Sequence, residues 1–302
     1  RKPNSLTKNR LLIKLDIDII FYMKSDPGYF GPDSMMWKVN KEITVLFGGA
    51  RALLMHAAHP LIAAGARQTS FYQRDPWKRL IRTLSLQNSV TFGTKEEADE
   101  SANRINKLHE VIKGKDEVTG GTYDALDNEQ LLWVHACLQI SSIYFYELTV
   151  SKLSEEEKNQ YHIENSSVAE MMLIEPSFIP KTHEDLKNWV IQKSRTEDYL
   201  LNTDVAEDVK NIIAGGPVPR HIKPIWPFIA FTAFNTLPEE FKSIYGVKSS
   251  GFKNLVILLN LNFLKYSRPF LPPFFRLIAP ARWARQRIRN KPNLKFKDKA
   301  KF

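Results

Sequence analysis

Two arginines and a threonine, Arg79, Arg82 and Thr83, lie within five consecutive residues. Positions three and four apart are neighbours on an α-helix, so both guanidinium groups and the hydroxyl are predicted to share one face. Asp75 and Pro76 precede them and are typical of an N-cap and a first helical residue, which places the cluster near an electropositive helix end. Such a cluster predicts a site for an anion or a polarised ligand.

The surroundings of this cluster leave two interpretations open. The arginines could neutralise acidic neighbours, as most charged helix faces do. However, the neighbouring residues include Leu80, Ile81 and Leu84, and an unpaired buried guanidinium is costly. The apolar context therefore favours a buried cluster whose charge is balanced by a ligand.

Two histidines are candidate ligands for a metal. His109 stands in an apolar stripe with Ile105 and Ile112 at helical spacing. Such a residue is either a core histidine that is hydrogen-bonded across a bundle or a neutral imidazole that donates a lone pair to iron. His135, in a hydrophobic run over residues 133–138, is the second candidate.

A closely spaced pair, His56 and His59, offers a different kind of metal site. Its spacing of three residues could hold zinc or a di-iron centre. A carboxylate-bridged di-iron site also needs Glu-x-x-His motifs on two helices, and the sequence has none. The simpler interpretation is that His59 packs at a helix end before Pro60.

Five short motifs follow one another in the first half of the chain. They are residues 49–54; His59-Pro60 with Ser70-Phe71; Asp75-Pro76 with Arg79, Arg82 and Thr83; Leu108-His109 with Ile112 and Gly114; and residues 132–136. In this order they resemble the rubber oxygenase (latex clearing protein) and MpaB-type oxygenase domain. The resemblance covers about residues 28 to 180, with a weaker echo over 268–289.

This resemblance implies an all-α protein with a globin-like core that holds haem b. It makes His109 the proximal iron ligand and places the arginine-rich helix on the distal side. It also implies a supporting role for His135, at the haem edge or near the propionates.

Two departures from the family pattern bear on the chemistry. The rubber-cleaving members have, at the position of Arg82, a lysine that can ligate iron. The guanidinium of Arg82 cannot do so, because it stays protonated and has no free lone pair. An open or water-closed distal position is therefore expected. Those members also have a glutamate that is proposed as the catalytic base. The corresponding stretch of this chain, residues 61–70, contains no carboxylate. Glu42 is a nearby candidate base, but the expected role is to anchor its helix or to pair with Arg51 or with an arginine of the cluster.

Helical periodicity dominates the chain and predicts an all-α, multi-helix bundle. The resemblance implies that this bundle has a globin-like core. Thr94, Asp127, Ser154 and Thr182 each precede residues typical of a first helical turn. The predicted helices are 36–58, 75–90, 95–113, 128–148, 154–173, 183–193, 202–213 and 222–234.

Composition and breaks in the pattern suggest one domain. With 302 residues, 43% hydrophobic and 25% charged, the chain is typical of a globular protein. We predict a lead and first helix over 1–27, an oxygenase-like domain over 28–290 and a basic tail over 291–302. The single cysteine, Cys137, excludes an internal disulfide and favours the cytoplasm, and the basic N-terminus resembles neither a signal peptide nor a spanning helix.

The net charge of +10 is concentrated near the C-terminus. Residues 268–302 interleave cations with aromatic and aliphatic side chains, which predicts either a peripheral membrane contact or a solvated last helix and tail. Nucleic acid is disfavoured because no recognition motif accompanies the charge.

Together with these residues, the resemblance implies a haem b-dependent oxygenase that acts with dioxygen on a lipophilic alkene or terpenoid-type substrate. His109 and His135 would bind the cofactor, with Arg79 and Arg82 near bound oxygen or the propionates and Thr83 as a hydrogen-bond donor. The alternatives are a haem-binding or sensing protein without catalysis and an iron-free helical protein that docks to membranes.

Overall fold

The computed structural model describes residues 26–69, 76–197, 199–216, 218–220 and 222–289, and over 76–81 it describes the backbone only. The predicted first helix before residue 26, the N-cap Asp75 and the basic tail over 291–302 lie outside the described residues. The part that is described is mainly helical and has almost no strand, which confirms the predicted all-α class.

The helices follow one another with short connections. They are α1 Met35–Asn40, α2 Phe47–Ala57, α3 Pro60–Thr69, α4 Pro76–Phe92, α5 Lys95–His109, α6 Asn128–Thr149, α7 Glu155–Met171, α8 His183–Ser194, α9 Asp204–Gly215, α10 Trp226–Asn235, α11 Glu239–Ile244, α12 Gly251–Ser267, α13 Pro273–Arg276 and α14 Ala279–Ile288. Short 3₁₀ turns occur at Ile43–Leu46, Pro176–Phe178 and Arg268–Phe270. An antiparallel pair of strands, β1 Lys113–Lys115 and β2 Thr122–Asp124, joins α5 to α6.

Side-chain caps confirm four of the predicted helix starts. In α5 the Thr94 hydroxyl accepts from the Glu97 backbone N–H, and the Glu97 carboxylate accepts from the Thr94 N–H, which forms a capping box. Ser154 forms the same box at the start of α7. Asp127 caps α6 and Thr182 caps α8 in the same way, each through one hydrogen bond.

The predicted helix over 36–58 is wrong as a single element. It is divided into α1, a 3₁₀ turn and α2, because the chain turns at Glu42 to pair with the C-terminal part of the protein. The predicted helix over 95–113 ends earlier, at His109, and β1 begins at Lys113. Helices α3, α11 and α12 were not predicted.

The centre of the core is the contact between α2 and α6. Gly48 permits it, since a Cβ atom there would lie 2.9 Å from the Ser141 carbonyl oxygen of α6. Trp133 of α6 is fully buried and donates from Nε1 to the Met55 carbonyl of α2. The side chains of α8, α9, α10 and α11 complete this cluster.

The C-terminal helix returns to the start of the described chain. The Ile278 N–H donates to the Lys41 carbonyl at 2.9 Å, and Ala281 and Ala284 of α14 pack with Trp37 and Phe92.

Among the described residues no single helix is long and apolar enough to cross a membrane. The pair Ile43–Ala57 and Pro60–Thr69, which is bent by 101°, reaches that length and apolarity only when the two helices are taken together.

Candidate functional site

Helices α4 and α5 form a hairpin that carries the arginine cluster and His109. They are joined by two residues, Gly93 and Thr94, and pack along their length, so they run antiparallel. Arg79 lies in the first turn of α4, and His109 is the last residue of α5. The hairpin therefore brings the predicted anion cluster and the predicted iron ligand to the same end, which we call the open end.

The expectation of a buried arginine cluster is wrong for the two members whose side chains are described. Arg82 and Thr83 are exposed, and each has an interaction partner. The physical reason is that α4 buries its C-terminal turns, at Val90 and Phe92, against the core, whereas its N-terminal half lies at the open end. The side chain of Arg79 lies outside the described residues.

His109 is half-buried and has the free lone pair that a metal ligand needs. Its Nδ1 atom is buried, and neither ring nitrogen has a hydrogen-bond partner among the described residues. Burial lowers the pKa of His109 below its usual value, so the imidazole is neutral at neutral pH. A buried imidazole nitrogen without a partner is unusual, because such groups are nearly always hydrogen-bonded. This nitrogen is the strongest sign of a ligand in the hairpin.

His135 lies in a separate environment on α6. Its Nε2 atom is buried without a hydrogen-bond partner among the described residues, and burial, with a contribution from His162, lowers its pKa to about 4. The backbone of Asn165 on α7 also interacts with the ring. The structure therefore places the two candidate haem histidines in different contacts, His135 facing α7.

A buried network beside His135 was missed by the sequence analysis. The Gln139 amide lies 3.0 Å from Nδ1 of His162 and 3.5 Å from Nδ1 of His183. Nε2 of His162 lies 2.7 Å from the Pro180 carbonyl oxygen. The network joins α6, α7 and α8 through satisfied polar groups, and its role is structural. The only sequence signal for it was the presence of polar residues in otherwise apolar helices.

The pair His56 and His59 does not form a metal site. Nε2 of His56 lies 3.0 Å from the Val134 carbonyl oxygen, and the His59 ring packs between Trp133 and Tyr199, with centroids 5.6 and 4.6 Å away. Burial lowers the pKa of His59 to about 4. His59 thus packs between α2 and α3, before Pro60, as the simpler interpretation predicted. No group of three or more His, Cys, Asp or Glu side chains in the described part of the chain could hold a metal ion.

Within the described part of the chain Glu42 pairs with Arg268 and not with Arg51, so the predicted pairing with Arg51 is wrong, whereas the alternative prediction of an anchor agrees with its contacts. Its buried carboxylate accepts two hydrogen bonds from Arg268, from Nε at 2.9 Å and from Nη2 at 2.6 Å. This bidentate pair uses both carboxylate oxygens and fixes the C-terminal part of the chain against the start of the domain. Glu42 is therefore a structural anchor, which disfavours it as a catalytic base.

Arg51 is fully buried without a carboxylate partner among the described residues. Its Nε donates to the Thr236 carbonyl at 2.9 Å, its Nη1 donates to the Ser141 hydroxyl at 2.7 Å, and its guanidinium lies 4.9 Å from the centroid of the Tyr144 ring. Burial lowers its pKa to about 10, so it remains charged at neutral pH. Arg51 thus ties α2 to α6 and α10, and it explains why an arginine belongs in the first motif.

The comparison with protein families agrees with this arrangement of motifs and helices. The family described as ER-bound oxygenase mpaB/B'/Rubber oxygenase, catalytic domain, matches residues 37–263, which include the arginine cluster, His109 and His135. No curated protein and no solved structure gives a significant match. The family match covers well over half of the chain. The chain therefore belongs to the family of ER-bound oxygenase mpaB/B' and rubber oxygenase catalytic domains.

Proposed function

We propose that this member of an oxygenase family is a haem b-dependent oxygenase that acts with dioxygen on a lipophilic alkene or terpenoid-type substrate. The family match supports the oxygenase class. The observation that carries the haem proposal is the half-buried His109, whose buried Nδ1 has no hydrogen-bond partner among the described residues. The substrate class rests on the resemblance to the rubber oxygenases.

The described side chains fit haem better than an ion held by protein ligands alone. Haem iron already has four porphyrin nitrogens and needs one protein ligand, whereas a protein-only site needs several. The described residues offer no cluster of several ligands, but they offer one unpartnered neutral imidazole at the open end of the hairpin. His109 would be the axial ligand, and bound haem would supply the activation of dioxygen.

The arginine cluster would orient the cofactor or bound oxygen from the same end of the hairpin. Arg82 is exposed, so its guanidinium is accessible to a propionate without a large desolvation cost. The Thr83 hydroxyl next to it can donate a hydrogen bond. Arg79 lies one helical turn before Arg82, so it would face the same ligand. We propose a supporting role for His135 on the α6 side.

The cavity that the structure describes beside α4 is too small for the macrocycle. Leu84, Asn88 and Thr91 of α4 line a cavity with α2 and α6 whose volume is about 40 Å³. This is space for about one water molecule. The proposal therefore places the haem at the open end of the α4–α5 hairpin, where the arginines are exposed.

The reaction proposed does not depend on proton abstraction by a carboxylate of α3. That helix contains no Asp or Glu, and its Arg67 is held by two aspartates, Asp116 and Asp204. Glu42, the other candidate base, is bound by Arg268. Substrates that require a carboxylate base at this position are therefore disfavoured.

The cytoplasmic location and the membrane contact of the tail over 291–302 remain predictions.

Substitution of single histidines tests the ligand assignment. We expect His109→Ala to lose stoichiometric haem, measured by the Soret band and the pyridine haemochrome, while circular dichroism shows an unchanged helical content. His135→Ala should retain haem with a weakened or shifted spectrum. His56→Ala is the matched control, because its ring is already hydrogen-bonded to a backbone carbonyl, and it should retain haem fully.

Equal haem content in the His109 and His135 variants would contradict the assignment, as would haem loss in the His135 variant alone. A colourless wild-type protein after expression with adequate haem supply would favour the iron-free alternative. A haem-loaded wild type that converts no lipophilic alkene would favour a binding or sensing role.

A further inference from the structure

The longest C-terminal helix, α12, turns its most apolar stripe towards solvent. Phe252, Leu259 and Phe263 are 74%, 60% and 71% exposed. The opposite side of the helix carries Ile257 and Leu261, which are 7% and 1% exposed and pack against the core. An amphipathic helix of a globular protein normally shows the reverse order, with polar residues outside. We call the outer residues of this helix the α12 stripe: Phe252, Leu255, Leu259, Phe263 and Tyr266.

The apolar surface continues beyond the end of α12. Phe270, Leu271, Phe274 and Phe275, on the following 3₁₀ turn and on α13, are all exposed. Scattered exposed apolar residues are normal, but a contiguous patch of this kind marks an interaction surface. Aromatic side chains make up much of the patch, as in segments that insert into a membrane interface.

The segment that carries this patch has charges of one sign only, although Lys242, Arg268 and Arg287 pair with carboxylates outside it. Residues 241–289 contain ten lysines and arginines and no aspartate or glutamate. Lys248, Arg285 and Arg289 are exposed and have no carboxylate partner within the described residues. The Nε atoms of Arg276 and Arg282 are also buried without a hydrogen-bond partner there, and Arg282 stacks on Phe274, with its guanidinium carbon 4.5 Å from the ring centroid.

We propose that the α12 stripe and the aromatic residues up to Phe275 dock this protein onto an anionic lipid surface. The apolar side chains enter the headgroup region while the flanking cations contact lipid phosphates and carboxylates. A second copy of the chain would bring two cationic faces together. Residues 1–25, with six cations and two aspartates, carry the same sign of charge, so repulsion disfavours this segment as the cover.

The inner side of α12 borders a cavity of about 280 Å³. Leu258 and Leu261 line it together with Tyr144 and Leu148 of α6, and Asn235, Lys242 and Asn254 add polar groups to the lining. The docking proposal rests on the outer stripe and depends neither on this cavity nor on the proposed function.

A fluorescent label on the stripe tests the docking directly. Phe263→Cys in the full-length protein is labelled with an environment-sensitive fluorophore. The native Cys137 does not compete, because it is buried and burial raises the pKa of its thiol. With vesicles that contain phosphatidylserine at low ionic strength, we expect a blue shift and quenching by a spin label carried in the acyl region. Phe178→Cys, exposed on a distant 3₁₀ turn, is the matched control and should show neither change.

Vesicle sedimentation tests which residues carry the binding. Phe252→Ser with Phe263→Ser should weaken binding about tenfold or more, because neither side chain would then bury apolar area in the headgroup region. The control, Val111→Ser with Phe178→Ser, also removes two exposed apolar residues and should bind as the wild type does. Binding should weaken in high salt and without phosphatidylserine. His109→Ala should bind normally, which separates this test from that of the haem site.

Several results would overturn the proposal. One is equal sedimentation of the wild type and the stripe variant. Another is protection of the label at position 263 from an aqueous quencher when no vesicles are present and the protein is a monomer. In that case another part of this chain would cover the stripe. A dimer in light scattering that the stripe variant abolishes would assign the surface to a second copy.

Discussion

The polar side chains of α2 and those of the α4–α5 hairpin differ in how their hydrogen-bonding and charge requirements are met. In α2, Arg51 and His56 are fixed by backbone carbonyls and a hydroxyl of neighbouring helices. In the hairpin, Arg82 is exposed and has a partner, whereas His109 has a buried nitrogen without a partner in the described part of the chain. Both regions contribute motifs to the family resemblance.

The difference separates motif residues that hold the fold from those available to a ligand. A polar group whose partners come from its own protein has little left to offer a cofactor. An imidazole kept neutral by burial but lacking a partner can donate its lone pair. Among the residues of these motifs, the structure therefore favours His109 over His56 and His59 as a ligand.

The largest effect should come from breaking the best-satisfied buried contact, the pair of Glu42 and Arg268. Arg268→Met leaves the Glu42 carboxylate buried without its partner, and we expect the free energy of unfolding to fall by about 3 to 5 kcal/mol. Arg285→Met removes an exposed arginine from the same C-terminal region and should change it by about 0.5 kcal/mol or less. Urea denaturation measures both. Similar values for the two variants would show that Glu42 does not depend on Arg268.

The sequence predicted the elements whose signals are local and missed those that depend on distant contacts. The caps at Thr94 and Ser154 follow from residues three apart, and both are confirmed. The break at Glu42 depends on Arg268, more than two hundred residues away, so helical periodicity could not reveal it. The outward stripe of α12 was missed because periodicity identifies an apolar face but not which face is buried.

The candidate site was predictable to the same degree. The relation of Arg79 to Arg82 is local, and the hairpin that brings their helix to His109 follows from the short connection at Gly93 and Thr94. Exposure of Arg82 was not predictable, because apolar neighbours along α4 do not specify which part of the helix the core covers. The assignment of His109 and His135 to haem remains a prediction.

The buried histidines give a smaller effect that depends on pH. Burial lowers the pKa values of His59, His135 and His183 to about 4, so the folded state binds protons less readily than the unfolded state, whose histidines titrate near 6.5. Their contribution to stability is complete above about pH 6.5 and is lost as the pH falls towards 4. At pH 5 each should reduce the free energy of unfolding by about 2 kcal/mol relative to neutral pH.

Comparison of the wild type with His183→Gln isolates one of these contributions. The variant lacks one titrating group, so its loss of stability between pH 7 and pH 5 should be smaller by about 2 kcal/mol, whatever its stability at pH 7. Urea denaturation at both pH values measures this difference. An identical pH-dependent loss in the two proteins would mean that His183 is not held neutral by burial.

The smallest effect on stability, with a distinct spectroscopic effect, is expected at the open end of the hairpin. Arg82→Lys keeps the charge at an exposed position, so the free energy of unfolding should change by about 0.5 kcal/mol or less. Unlike a guanidinium, an amine can lose its proton and then donate a lone pair to iron. If Arg82 faces the haem, the ferric spectrum of the variant should move towards a six-coordinate, low-spin form as the pH rises. Arg104→Lys, an exposed arginine on α5, is the matched control and should leave the spectrum unchanged over the same titration. Identical titrations in the two variants would place Arg82 away from the iron and limit the site to His109 and its immediate surroundings.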